Sequence, residues 1–174
     1  MPFNNIAAYT AGQLISADDL NRLRENVKYL FNERGLSTQR VDEANNYSTS
    51  STSFVDMDSV DLAKSVTINS GRALIIFACS FSETGSVGGS HLYLDIAIDG
   101  VRQGNDDGLT VQTVRSGTIA FNNAFCFYIA EGLAPGTHTF KVMYKVGGGG
   151  TITVYAGAGT STADVHPFFA VLEI

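Results

Sequence analysis

The stretch HLYLDIAIDGVRQ (residues 91–103) decides the fold class of this chain. Its first eight residues alternate between an apolar row and a second row: Leu92, Leu94, Ile96 and Ile98 against His91, Tyr93, Asp95 and Ala97. A period of two is typical of a strand that buries one face. Asp99-Gly100 follows, and Asp-Gly is among the strongest short signals for a tight hairpin turn. The stretch therefore predicts an antiparallel hairpin that continues into Val101–Gln103.

Similar segments recur on both sides of this hairpin and predict further strands. They are Phe54–Met57, Val66–Ile68, Ala73–Phe81, Leu109–Val114, Thr118–Ile129, His138–Val146, Thr151–Ala156 and residues 165–174. Ala73–Phe81 is apolar on both faces, which is typical of a central strand. Eight to ten strands without intervening helices predict a two-sheet sandwich or barrel, and the jelly roll is a common eight-stranded form. We predict an all-β, jelly-roll-like antiparallel β-sandwich.

An extended arm and one amphipathic helix precede the predicted strands. The arm, residues 1–15, carries spaced apolar anchors: Phe3, Ile6, Tyr9 and Leu14. The helix is predicted from Ser16, a suitable N-cap, to Arg34, before a C-terminal Gly35. Its apolar stripe consists of Leu20, Leu23, Val27 and Leu30, widened by Phe31. The 3-4-3 spacing fits a coiled-coil seam between copies, but it equally fits docking on the chain's own domain or on a partner.

A polar segment separates the helix from the strands. Residues 35–53 (GLSTQRVDEANNYSTSSTS) end in a Ser/Thr cluster and predict a linker. We therefore divide the chain into residues 1–46, an anchoring arm and helix, and residues 47–174, the β-sandwich.

Composition excludes several functional classes. The chain has 174 residues, of which 44% are hydrophobic and only 16% charged, and its net charge is −6. A nucleic-acid surface needs a basic stripe, and a membrane span needs about 20 apolar residues, so neither partner is expected. The N-terminus does not have the pattern of a secretory signal. Cys79 and Cys126 lie in apolar strands and are expected to be buried thiols of a protein made in a reducing cytosol, with a disulfide left open if their strands are neighbours.

The residues that could carry chemistry form no recognisable constellation. His91, His138 and His166 are far apart and lack metal-ligand spacing. The candidate acids, which mostly fall at predicted turns, are Asp95, Asp99, Asp106, Asp107, Glu131 and Glu173. The glycine runs 147–150 and 157–159 lack the helix start and lysine of a phosphate-binding loop. We expect no catalytic residue, no metal site and no cofactor, and hence no enzyme.

Aromatic residues suggest a subunit interface. Tyr93, Tyr128 and Tyr155 lie opposite the more apolar row of their strands, and Phe168 and Phe169 occupy both faces of the last strand. Tyr and Phe are enriched at interfaces between subunits, where Lys and Glu are depleted. The alternative is that these rings pack under loops or stay half exposed, which is common for Tyr.

Several segments resemble structural proteins of tailed bacteriophages. LISADDLNRLRENVKYLF (residues 14–31) resembles a short helix near the N-terminus of such proteins. The β-domain is similar to small jelly-roll modules of phage fibre, head-decoration and tail proteins. The matching segments are STSFVDMDS (51–59), RALIIFACSFS (72–82), LDIAIDGVRQ (94–103), LAPGTHTFKVMYKV (133–146) and FAVLEI (169–174). Together they cover most of residues 14–174, although the motifs are structural and tolerant.

This resemblance implies a virion component assembled in the host bacterial cytoplasm. It implies a homotrimer, like tumour-necrosis-factor-type jelly rolls, whose N-terminal arm is fastened to capsid, neck or tail proteins. The chain has neither a collagen-like or β-helical shaft nor a His-x-His tip, so a short decoration, head-fibre or neck protein is favoured over a long receptor-binding fibre. The alternative is a carbohydrate-binding or host-adhesion module, for which Tyr155 and the loops 84–90 and 104–108 are the candidates.

Overall fold

A computed structural model describes residues 17–28, 36–40, 46–85, 90–114, 122–157 and 165–174. Helix α1 spans Ala17–Lys28, with Asp18 and Asp19 in its first turn, where acids favour the positive end of the helix dipole. The predicted helix is confirmed over this range. Its predicted ends, Ser16 and residues 29–34, and the arm anchors Phe3, Ile6, Tyr9 and Leu14 lie outside the described residues, as do Leu30 and Phe31.

The rest of the described chain is built from β-strands. Their bounds are β1 Leu36–Arg40, β2 Tyr47–Thr49, β3 Val55–Asp56, β4 Ala63–Ile68, β5 Arg72–Thr84, β6 Ser90–Ile98, β7 Val101–Arg102, β8 Thr110–Val114, β9 Asn122–Glu131, β10 Gly136–Gly147, β11 Thr151–Val154 and β12 Phe168–Glu173. The strands predicted from residue 54 onward are confirmed where the structure describes them; the start of the predicted strand Thr118–Ile129, residues 118–121, lies outside the described residues.

The strands form two antiparallel sheets. In sheet A, β5 has β9 on one side and both β12 and β11 on the other, while β1 pairs with β12 and β2 with β11. In sheet B, β6 and β10 are central, β8 and β7 flank β6, and β4 and β3 flank β10. Along the described strands, the chain crosses between sheets from β2 to β3, β4 to β5, β5 to β6, β8 to β9, β9 to β10 and β10 to β11. This alternation makes the domain a jelly-roll-like antiparallel β-sandwich, as predicted.

The segment predicted as a linker contributes strands to sheet A. Leu36–Arg40 pairs with Phe168–Leu172 of β12, and Tyr47–Thr49 pairs with β11. The linker interpretation of residues 35–53 is therefore wrong at these two strands. Because β1 lies within the predicted N-terminal part, residues 36–40 belong to the sandwich although the predicted boundary placed them before it.

The core lies between the two sheets and is rich in aromatic rings. Phe77, Phe81 and Phe169 from sheet A and Phe140 from sheet B are completely buried. The rings of Phe77 and Phe169 meet edge to face, with 6.4 Å between their centroids, a favourable geometry for aromatic pairs. The apolar row of the opening stretch (Leu92, Leu94, Ile96 and Ile98) is buried against them.

The predicted Asp-Gly turn is confirmed by its backbone angles. Asp99 and Gly100 have φ values of 50° and 83°, the two positive values that a tight hairpin turn requires. The Asp99 side chain then reaches back to β10, where its Oδ1 accepts a hydrogen bond from the Thr139 N–H at 2.8 Å. The turn is thereby fastened to the neighbouring strand.

Candidate interaction surface

The outward side of sheet A is apolar along three adjacent strands. Alternation along each strand places these nine side chains outward: Leu74, Ile76 and Ala78 on β5, Phe125, Phe127 and Ile129 on β9, and Phe168, Ala170 and Leu172 on β12. The pairing registers align them in rows across the sheet, such as Phe125, Ala78 and Phe168. We call this set the apolar face.

Four large side chains of the apolar face are well exposed in the single chain. The exposed fractions are 62% for Phe127, 53% for Phe125, 44% for Ile129 and 41% for Phe168. On β9 the inward positions hold the small residues Ala124, Cys126 and Ala130, which are buried, together with the larger Tyr128. The strand therefore places two Phe residues and one Ile outward, which is unusual in a domain that acts alone.

The packing of the core accounts for one of these small residues. Cys126 is opposite Phe77 of β5, which is large and completely buried. Protein interiors are close-packed, so a large residue on one strand leaves little space beside it. Ile75 of β5 is instead opposite the large Tyr128. Contiguous apolar surface of this kind is typical of sites that contact another molecule.

Polar pairs mark the two ends of the apolar face. At one end, Arg72 and Glu131 form an exposed ion pair at 3.0 Å. At the other, the Ser80 hydroxyl donates to Oδ1 of Asn123 at 2.7 Å. Both pairs join β5 to β9 directly across the register. An apolar centre with a polar rim is the usual anatomy of a protein–protein contact.

The five residues predicted for the oligomer interface do not all share this surface. Phe168 belongs to the apolar face. Tyr155 follows β11, and its hydroxyl donates to Oγ of Ser82, an outward residue of β5, at 2.8 Å. Tyr93 lies on the outward side of sheet B, opposite the apolar face. Tyr128 is partly buried against the core.

Phe169 requires a correction. Its side chain is completely buried between the sheets, so its predicted place in the oligomer interface is wrong. Phe168 and Phe169 are consecutive and must point to opposite sides, and the core takes Phe169 because its ring meets Phe77. Sequence reasoning missed Phe125, Phe127 and Ile129, because an apolar row is normally assigned to the inside. The small residues that alternate with them were the available signal.

The helix carries a second exposed apolar surface. Leu20, Leu23 and Val27 are each about half exposed on α1, although they form the predicted stripe. Apolar residues spaced three and four apart lie on one side of a helix. The described part of the stripe is thus accessible, as self-association or docking on a partner requires, whereas docking on the chain's own domain would bury it.

The loop proposed for carbohydrate binding is held by contacts within the domain. The Nζ atom of Lys145 donates to the carbonyl of Asp106 at 2.6 Å and lies 4.6 Å from the ring centre of Tyr93. A Cβ atom at Gly108 would come within 2.5 Å of the Leu94 carbonyl oxygen, so this loop packs directly on β6. The role of this loop and of Tyr155 in glycan binding stays a prediction.

Histidines and cysteines occupy separate places. His91 contacts Thr113, and His138 contacts Asp99, while His166 lies beside the apolar face. Among the described residues, no group of three or more His, Cys, Asp or Glu side chains could hold a metal ion.

Cys79 and Cys126 are buried and free, and burial raises the pKa of the Cys79 thiol to about 12. In the part of the chain that the structure covers, no helix is both long and apolar enough to cross a membrane.

Comparisons with known proteins find no family model and no curated relative that match. Among solved structures, the chain is similar to the tumour necrosis factor Eiger from S. frugiperda, with 11% identity and a TM-score of 0.44, covering 81% of this chain and 92% of that one. It is also similar to dimeric latent PorU from Porphyromonas gingivalis, with 7% identity and a TM-score of 0.42, covering 80% of this chain and 13% of that one. Similarity at this level does not inform function.

Proposed function

We propose that this chain is a non-enzymatic structural protein of a tailed bacteriophage virion, which self-associates through the apolar face and attaches to the particle through its N-terminal segment. The observation that carries the proposal is the exposure of Phe125, Phe127, Ile129 and Phe168 on one side of the sandwich. The apolar face is suited to contact between proteins, because it offers apolar surface area that a partner can bury.

Burial of the apolar face between copies supplies the driving force. Each Å² of apolar surface removed from water contributes about 25 cal/mol. The chain has a net charge of −6, so two copies repel each other at long range. Like-charged copies approach each other at the lowest electrostatic cost through the apolar face, because its nine outward residues are uncharged. We propose a closed homotrimer because of the resemblance to phage jelly-roll modules. In a closed cyclic assembly, the apolar face of every copy is covered by its neighbours.

The N-terminal segment is proposed to bind capsid, neck or tail proteins. On α1, the half-exposed Leu20, Leu23 and Val27 form an apolar stripe for such a contact. Three copies joined through the sandwich would present three such segments together. Simultaneous binding of several weak contacts raises the overall affinity well above that of one contact.

The virion role is tested on particles of the virus that encodes this chain. We propose assembly in the cytoplasm of the host bacterium, so purified particles should contain the chain in stoichiometric amounts that mass spectrometry can count. Presence of the chain in infected cells but not in purified particles would refute the virion role. A glycan array with the purified chain provides the complementary result, since specific glycan binding without particle association would favour the adhesion alternative.

A further inference from the structure

The apolar face contains a notch at one end. Phe125 and Phe168 stand on either side of Ala78, to which both are paired in register. Because Ala78 is small, the surface between the two rings is recessed, forming a depression of about 300 Å³. Ser80, Asn123 and His166 complete its polar rim. Apolar cavities of about 150 Å³ bind benzene in other proteins, so this notch has room for a phenyl ring.

The same face also carries a knob. Phe127 is the most exposed aromatic side chain among the residues that the structure describes, with 62% of its surface accessible. It lies two residues along β9 from Phe125, and the two ring centroids are 5.8 Å apart. Phe127 is opposite Ile76 and not Ala78, so its own ring stands beside the notch and not over its floor.

We propose that Phe127 of one copy inserts into the notch formed by Phe125, Ala78 and Phe168 of a second copy. This inference rests on the proposed self-association and names the contact that directs it. Each copy contributes one knob and one notch, which is the arrangement required for a closed ring or a symmetric pair. The notch is incomplete without the ring of the neighbouring copy.

A second copy of the chain suits this notch better than a charged partner. The walls and floor of the notch are apolar, and Ser80 and Asn123 on its rim are already hydrogen-bonded to each other. Charged ligands would lose water there, and no Asp, Glu, Lys or Arg side chain is among the residues that line the notch, with His166 on the rim. Buried aromatic side chains that fill pockets on the partner are the residues that dominate binding between proteins.

The test uses the full chain and compares three variants with the wild type by sedimentation equilibrium. Phe127→Ala removes the knob, and we expect it to weaken association by at least about tenfold. Ala78→Phe fills the notch, and we expect a similar loss although the variant gains apolar surface. The double variant, Phe127→Ala with Ala78→Phe, should associate about as weakly as either single variant, because each substitution alone already removes the same contact. Val101→Ala, at a residue 65% exposed on sheet B, is the matched control and should associate like the wild type.

The outcomes separate this inference from the proposed function. A wild type that associates while Ala78→Phe associates equally well or better would overturn the knob-and-notch contact and leave self-association standing. A monomeric wild type would overturn both. A small apolar molecule retained by each copy in native mass spectrometry would also overturn the contact, since the notch would already be filled. If Ala78→Phe fails to fold by circular dichroism, Phe168→Ala replaces it, and its effect should vanish in the Phe127→Ala background.

Discussion

His138 and Asp99 join two turns at one end of the sandwich: Nδ1 of His138 lies 2.7 Å from Oδ2 of Asp99. The other ring nitrogen, Nε2, lies 2.7 Å from the carbonyl oxygen of Ala134. Both nitrogens therefore face acceptors, and only the protonated ring can donate to both. The Ala134 carbonyl and then Asp99 raise the pKa of His138, while the Thr139 N–H and then His138 lower the pKa of Asp99.

This pair predicts a pH dependence of the free energy of unfolding. Because the pKa of His138 is raised, its contribution is complete below the ordinary value of 6.5 and is lost as the pH rises through the folded value. Because the pKa of Asp99 is lowered, its contribution is present above 3.8 and is lost as the pH falls through the folded value. Stability from the pair is therefore greatest between these two values.

Urea unfolding at pH 5.5 and pH 8.5 checks this prediction. The wild type should lose stability from the lower to the higher pH by less than about 1 kcal/mol, since Asp99 is half exposed and screened by solvent. His138→Gln should reduce this loss, and Asp99→Asn, which keeps a residue tolerant of positive φ, should reduce it by a similar amount. An unchanged loss in both variants would contradict the assignment.

The buried carboxylate of Asp95 predicts a larger effect. Its side chain is completely buried, and Oδ2 accepts from Nε of Arg102 at 2.7 Å, while Oδ1 accepts from the N–H groups of Ile96 and Gly104. Arg102 also stacks on the Phe54 ring at 3.8 Å. The Arg102 side chain is about one-third exposed, so removing it leaves the buried carboxylate without its counter-charge at a cost of about 3 kcal/mol, the low end for buried pairs.

Two matched substitutions measure that cost. Arg102→Met should lower the free energy of unfolding by about 3 kcal/mol, whereas Arg72→Met, at the exposed pair with Glu131, should change it by less than about 1 kcal/mol. Equal effects in denaturant titrations would show that burial of Asp95 does not control the strength of its pair.

Glu173 of the last strand is predicted to stabilise the loop that joins β4 of sheet B to β5 of sheet A. This carboxylate is buried, and its Oε1 accepts from the N–H groups of Asn69 and Ser70 at 2.6 and 2.5 Å. Glu173→Ala would leave two partly buried donors unpaired and should cost about 2–4 kcal/mol in thermal or chemical unfolding. Glu173→Gln retains a carbonyl acceptor and should cost less. A milder effect for Ala than for Gln would exclude this role.

The helix stripe predicts a separation of attachment from folding. Leu23 and Val27 are half exposed on α1, so replacing both with Asp should leave the Tm of the sandwich within a few degrees of the wild type. Incorporation into particles, counted by mass spectrometry, should fall strongly. Asn26→Asp on the same helix is the control for added charge. Normal incorporation of the double variant would remove the helix from the attachment site.

Much of the fold was predictable because its strands alternate clearly. The opening stretch, the Asp-Gly turn and the central position of Ala73–Phe81 are all found in the structure. Strands β1 and β2 were missed because LSTQR and YST are short and polar, and their pairing with β12 and β11 comes from the tertiary structure.

The sequence predicted an aromatic interaction surface on one sheet face but identified only some of its residues. An aromatic sheet face was expected, and Phe168 lies on it. The three outward residues of β9 were not assigned to it, because an apolar row is normally assigned to the core and the pairing of β9 with β5 is not visible within either strand. Likewise, the acids Asp95 and Glu173 were grouped with acids at turns, although the structure places both in strands with buried hydrogen-bond partners.

The most direct test of the central claim is the mass of the purified chain in solution, measured by light scattering across micromolar concentrations. The account predicts a mass near three times the 18.5 kDa of one chain, which falls toward one chain when Phe127 or Ile129 is replaced by Asp. A wild-type mass of one chain at every concentration would contradict it.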